Sequence, residues 1–73
     1  MVEIEVQSYS GYRAEQRPQS LFIDGIIHEV AEILKAWVEP ERRYFKVKTK
    51  DGMEFLIHYD EVEHRWFLDE FDG

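Results

Sequence analysis

The chain has 73 residues, 44% of them hydrophobic and 34% charged, with a formal charge of −7 and no cysteine. This composition describes one globular domain over residues 1–73, without room for a second core and without a disulfide to staple it. The acidic balance opposes nucleic acid and anionic membranes as default partners, and no apolar run approaches the roughly 18 residues a membrane span needs.

Val2, Ile4 and Val6 alternate with Glu3, Glu5 and Gln7, the period of a strand with one buried face. Ser8 to Ser20 break that pattern with serines, Gly11 and Pro18, which predicts an irregular connection across the end of a sheet. Leu21 to Ile23 enter, and Ile26 to His28 leave, the turn dipeptide Asp24-Gly25, a strong hairpin signal. A two-residue turn there pairs Ile23 with Ile26 and Leu21 with His28, placing Leu21, Ile23, His28 and Val30 on one inward face.

Residues 26–38 also satisfy helical spacing, so a helix in an α+β fold is the alternative. The hairpin turn before them and their β-branched start favour a strand, with a bulge at Ala31-Glu32 that brings Ile33, Lys35 and Trp37 onto the face of His28 and Val30. Glu39-Pro40-Glu41 ends it.

Around Asp51-Gly52 two registers are available. A three-residue loop, Lys50-Asp51-Gly52, pairs Thr49 with Met53 and Val47 with Phe55, and leaves Lys46 and Lys48 outside. After a polar turn from Asp60 to Arg65, a last strand carries Trp66, Phe67, Leu68 and Phe71. The predicted fold is all-β: a six-stranded antiparallel meander curled into a small, partly open barrel of the SH3-like kind. Trp37 and Trp66 are expected as core anchors. The free edges are expected at strands one and six, blunted by Glu3, Glu5, Asp69 and Glu70, which suits a monomer or a weak homodimer.

Signals for chemistry are sparse. His28, His58 and His64 fall on different elements without metal-ligand spacing, and no serine lies beside a histidine, so an enzyme, a metal and a cofactor are not expected. His64 reads as a solvated turn residue, and His28 and His58 as residues of a sheet face. The segment from Tyr9 to Arg17 is rich in aromatic and arginine side chains, types that gather where proteins meet, and nominates Tyr9, Tyr12, Arg13 and Arg17 as a partner loop. A tyrosine capping the barrel end, with arginines paired to acids, is the structural explanation of the same residues. Arg42, Arg43, Lys46, Lys48 and Lys50 form a basic segment around Tyr44, opposite an acid-rich last third. Either it attracts acidic neighbouring strands across the sheet, or it is a strip that tracks phosphates while Tyr44 stacks on a base.

The succession Ser10-Gly11-Tyr12, Glu15 to Arg17-Pro18, Gly25, Val30, Ile33-Leu34, Trp37, Pro40, Tyr44-Phe45, Val47, Asp51-Gly52, Phe55, Tyr59-Asp60 and Trp66 resembles a small bacterial domain of unknown function. Members occur as stand-alone proteins, and a similar domain is attached to Y-family-like error-prone DNA polymerase proteins. The resemblance implies a β-rich fold and a bacterial cytoplasmic setting, and no known activity or cofactor. In place of the frequent Glu-Arg-Pro and a later aromatic, this chain has Glu15-Gln16-Arg17-Pro18 and His28. Two functions are therefore expected in turn: a non-enzymatic module that binds an unidentified protein through the Tyr9 to Arg17 loop and a sheet edge, or a nucleic-acid accessory module linked to DNA repair or translesion synthesis.

Overall fold

A computed structural model describes residues 2–9 and 17–72. The fold is a closed barrel of six antiparallel strands in chain order: β1 (Val2–Tyr9), β2 (Arg17–Ile23), β3 (Ile26–Glu39), β4 (Arg42–Thr49), β5 (Glu54–Asp60) and β6 (Arg65–Asp72). Among the described residues there is no helix, and 26–38 belongs to β3. β1 pairs with β6 through Val2↔Leu68, Glu3↔Phe67 and Ile4↔Trp66, so the two strands expected as free edges close the sheet on each other.

Turn chemistry sets the hairpins. Asp24 and Gly25 both adopt positive φ, 51° and 78°, the twist a two-residue type I′ turn requires, and Ile23 faces Ile26 across it. Pro40 supplies the fixed φ of one turn position and Glu41 the positive φ, 65°, of the next, joining β3 to β4 at Glu39↔Arg42. The loop after β4 is the three-residue one: the Gly52 amide donates to the Thr49 carbonyl at 3.0 Å, Gly52 takes φ 86°, and Val47 faces Phe55. In the last turn one carboxylate oxygen of Asp60 accepts from the amides of Val62 and Glu63, both at 2.9 Å.

Ile4, Leu21, Phe45, Val47, Phe55, Ile57 and Trp66 fill the barrel, with Ile23, Val30, Ile33 and Leu68 packed around them. Burial of each large apolar side chain contributes about 1.5–3 kcal/mol. β3 is long enough to serve two neighbours: Ile26 to Glu29 pair with β2 and Val30 to Glu39 with β4. It turns that corner with the bulge expected between Val30 and Glu32, and with a second between Ile33 and Lys35. The second reverses the alternation again. Trp37 consequently faces Tyr44 and Lys35 faces Lys46 on the outside, in place of the inward positions their spacing predicts.

β1 and β2 reach further into the Ser8 to Ser20 stretch than its composition suggests. Ser8 and Tyr9 continue β1, and Arg17 to Ser20 open β2, with Ser8↔Pro18 and Tyr9↔Arg17 paired beyond a bulge. Pro18 lies in the part of β2 that is laddered to β1 and not to β3, an edge position of the kind proline tolerates.

Candidate interaction surface

Cross-strand partners point to the same side of a sheet, so the register sorts the outer wall into rows. One row runs Glu39, Arg42, Asp60, Arg65 from β3 to β6, alternating in sign. The next is Trp37, Tyr44, His58 and Phe67. Below it come Lys35, Lys46, Leu56 and Glu70, and then Glu32, Lys48, Glu54 and Asp72.

These rows explain where the basic segment goes. Lys46 Nζ lies 3.9 Å from Glu54, Lys50 Nζ 3.7 Å from Glu29, and Arg43 Nε donates to Glu61 at 2.9 Å. Lys48 sits between Glu32 and Glu54 by register. Arg42 donates to the Tyr44 hydroxyl at 3.4 Å, a contact that holds its pKa above the ordinary value, with Asp60 and Asp69 adding to the effect. Attraction between strands of opposite sign thus engages most of the strip, and Lys35 opposite Lys46 is its one like-charged pairing by register.

The aromatic row is a ladder of rings across four strands. Trp37 and Tyr44 are parallel within 4° at 5.1 Å, Tyr44 leans on His58 at 5.2 Å, and His58 stacks on Phe67 at 5.1 Å. Although it stands on the outer wall, His58 is fully buried by these neighbours. Its Nδ1 donates to Asp69 Oδ2 at 2.6 Å, since a carboxylate only accepts, while Nε2 has no partner among the described residues. The indole of Trp37 donates to Glu39 at 3.0 Å.

At the end of this ladder, where β2 and β3 have parted, Arg17, Ala36, Trp37, Val38, Arg43, Tyr44 and Phe45 line an open groove of about 340 Å³. Arg17 and Val38 are exposed there, and Trp37, Arg43 and Tyr44 are half-buried. Of the residues nominated for the partner loop, Tyr12 and Arg13 lie outside the described residues, Tyr9 ends β1, and Arg17 begins β2 directly opposite it. The structure therefore brings Arg17 together with Arg43 and Tyr44, nominated for the other site, and separates them from Lys48 and Lys50 further along β4.

At the opposite end of the barrel, His28 is nearly buried against Phe55, and its Nδ1 donates to Asp51 at 2.8 Å. The Thr49 hydroxyl also donates to Asp51, and its hydrogen bond, followed by that of His28, lowers the carboxyl pKa. His64, exposed in the last turn, lies 3.0 Å from the Tyr59 hydroxyl. Among the described residues no cluster of His, Asp and Glu is placed to hold a metal ion, and no helix is long and apolar enough to cross a membrane.

No family model, curated protein or solved structure matches the chain. The site must therefore be read from its own chemistry. Two features of the outer wall were not anticipated from the sequence, one for want of a signal and one despite it. The ladder depends on the second β3 bulge, for which no single residue is a marker. The exposed pair Phe22 and Ile27 was legible, because placing Leu21, Ile23 and His28 inward obliges both to face out.

Proposed function

We propose that this protein is a non-enzymatic protein-interaction module that binds a partner at the groove between Arg17 and the Trp37–Tyr44 stack. The observation that carries the reading is the composition of that groove: an exposed arginine and an exposed valine beside half-buried tryptophan, tyrosine and arginine. Tryptophan, tyrosine and arginine are the residues in which binding energy concentrates, because each joins a large apolar area to directional hydrogen bonding. The rings are also held rigidly by each other, which lowers the entropy lost on docking.

The test is a photo-crosslinking amino acid placed at Val38 in cells, with Val62 in the last turn as the exposed control position. A defined protein adduct at 38 and not at 62, lost when Arg17→Glu is added, is the expected result. Equal labelling at both positions would remove the groove from consideration.

A nucleic-acid accessory role, including one in DNA repair or translesion synthesis, draws on Tyr44 and its neighbour Arg42. It is the weaker reading, because Lys46, Lys50 and Arg43 already face carboxylates, and a phosphate backbone has to compete with them. Titration with a short single-stranded oligonucleotide at low salt decides it: about four phosphate contacts give a log-log salt slope near −3, and absence of binding ends it.

A further inference from the structure

The outward side of an antiparallel sheet is ordinarily polar, and around the β2–β3 hairpin most of it is: Gln7, Ser20 and Glu29 form one row. The next row is Glu5, Phe22 and Ile27, with Phe22 directly across from Ile27. Phe22 is 43% exposed and Ile27 66%. A shallow groove of about 380 Å³ runs beside them, lined by Glu5, Val6, Gln7, Ser20, Phe22 and Ile27. β2 is laddered to β1 on one side and to β3 on the other, so this wall has side chains to offer and no free strand edge.

Acids outnumber cations around the patch. Glu3, Glu5, Asp24 and Glu29 border it, while β1 carries no basic residue and β3 none before Lys35. Lys50, 3.7 Å from Glu29, and Arg65, 3.5 Å from Glu3, compensate those two acids, which leaves Glu5 and Asp24 without an ion pair among the described residues. A second copy of a chain of charge −7 would bring like charges together, and anionic lipid or nucleic acid meets the same repulsion. An apolar surface ringed by acid is complementary to apolar side chains flanked by Lys or Arg.

We infer that the outer wall of the β2–β3 hairpin docks a basic amphipathic segment of a partner protein, with its apolar side chains on Phe22 and Ile27 and its cations against Glu5 and Asp24. This surface is distinct from the Arg17 groove, and each stands or falls without the other. With both occupied, the barrel holds two partners at once.

The probe is a short synthetic peptide of leucine at helical three-four spacing with lysine elsewhere, compared with the same leucine pattern in glutamate. Added to isotope-labelled protein, the lysine peptide is expected to shift amides of residues 20–29 saturably, and the glutamate peptide to shift none. Phe22→Ser with Ile27→Ser, both exposed, is expected to weaken binding by about tenfold or more, the loss of roughly 1.4 kcal/mol of apolar contact. Should that double variant misfold, Glu5→Lys at an exposed position provides the second arm and is also expected to weaken the lysine peptide. Shifts centred on the acids of β6, or undiminished affinity in whichever variant folds, would reduce the effect to general charge attraction and overturn the assignment. Shifts of residues 22–27 with protein concentration alone would hand the surface to a second copy, and equal binding of anionic vesicles would hand it to a membrane.

Discussion

The imidazole of His58 is enclosed by Tyr44 and Phe67 and donates an Nδ1–H hydrogen bond to Asp69, while Nε2 finds no partner among the described residues. Such a residue is stable only while its one strong hydrogen bond survives. Asp69→Ala strands the donor in a dry place and is expected to cost about 1–3 kcal/mol in urea denaturation. His58→Phe removes the donor and keeps the ring, so the double variant is expected to be more stable than Asp69→Ala alone; additive losses would show that the pair is not coupled. Asp51 is exposed and Asp60 half-buried. The Thr49 hydroxyl and His28 lower the pKa of Asp51, and the backbone amides of Glu63 and Val62, with Arg42, lower that of Asp60. A carboxyl whose folded pKa is depressed favours the folded state above its ordinary value of 3.8 and loses that contribution as pH falls through the depressed value. Thermal melts are therefore expected to lose stability from about pH 4 downward, with the acid limb flattened in an Asp51→Asn, Asp60→Asn variant. An unchanged limb would place acid sensitivity in other groups.

At the scale of elements, the hairpins rest on backbone conformation more than on contact. A Cβ on Gly52 would meet nothing within 4 Å, so the cost of Gly52→Ala comes from its φ of 86° alone. It is expected to be about 1–2 kcal/mol, with Gly52→Asn intermediate because asparagine tolerates the left-handed region. Equal stability of the alanine variant in chemical denaturation would mean that the turn relaxes to another type. β3 shows the converse case, in which geometry outweighs local preference. Ala31 and Leu34 carry no mark of a bulge, yet at both points the strand must bend to leave β2 and follow β4 around the barrel. The position of the first bulge was legible because Val30 and Ile33 had to share the inward face. The second moves Trp37 to the outside, where Tyr44 offers a parallel ring.

Over the whole molecule, closure of β1 on β6 removes the two outermost edges of the sheet, while β3 beyond Glu29 keeps one side unladdered where it has left β2. It also makes the domain depend on a handful of inward side chains, since a chain of this length buries only about 60% of its unfolded surface. The same closed wall sets the acid-rich last third beside the basic β4. Opposite charge is consumed in cross-strand rows, and what remains distinctive is the pairing of rings at one end with an acid-rimmed apolar hairpin at the other.

Asp24-Gly25, Asp51-Gly52 and the two-residue period of β1, β4 and β5 are local facts, because backbone sterics and alternation act between neighbours along the chain. They determined the all-β class, the strand order, the three-residue loop and the inward set of Leu21, Phe45, Val47, Phe55, Ile57 and Trp66. Three features were left to the tertiary structure: the outward turn of Trp37, the burial of His58 on an outer wall, and the meeting of Arg17 with Arg43 and Tyr44. Each depends on the curvature of a closed sheet, which brings together residues from strands far apart in sequence and is encoded in no single segment of it.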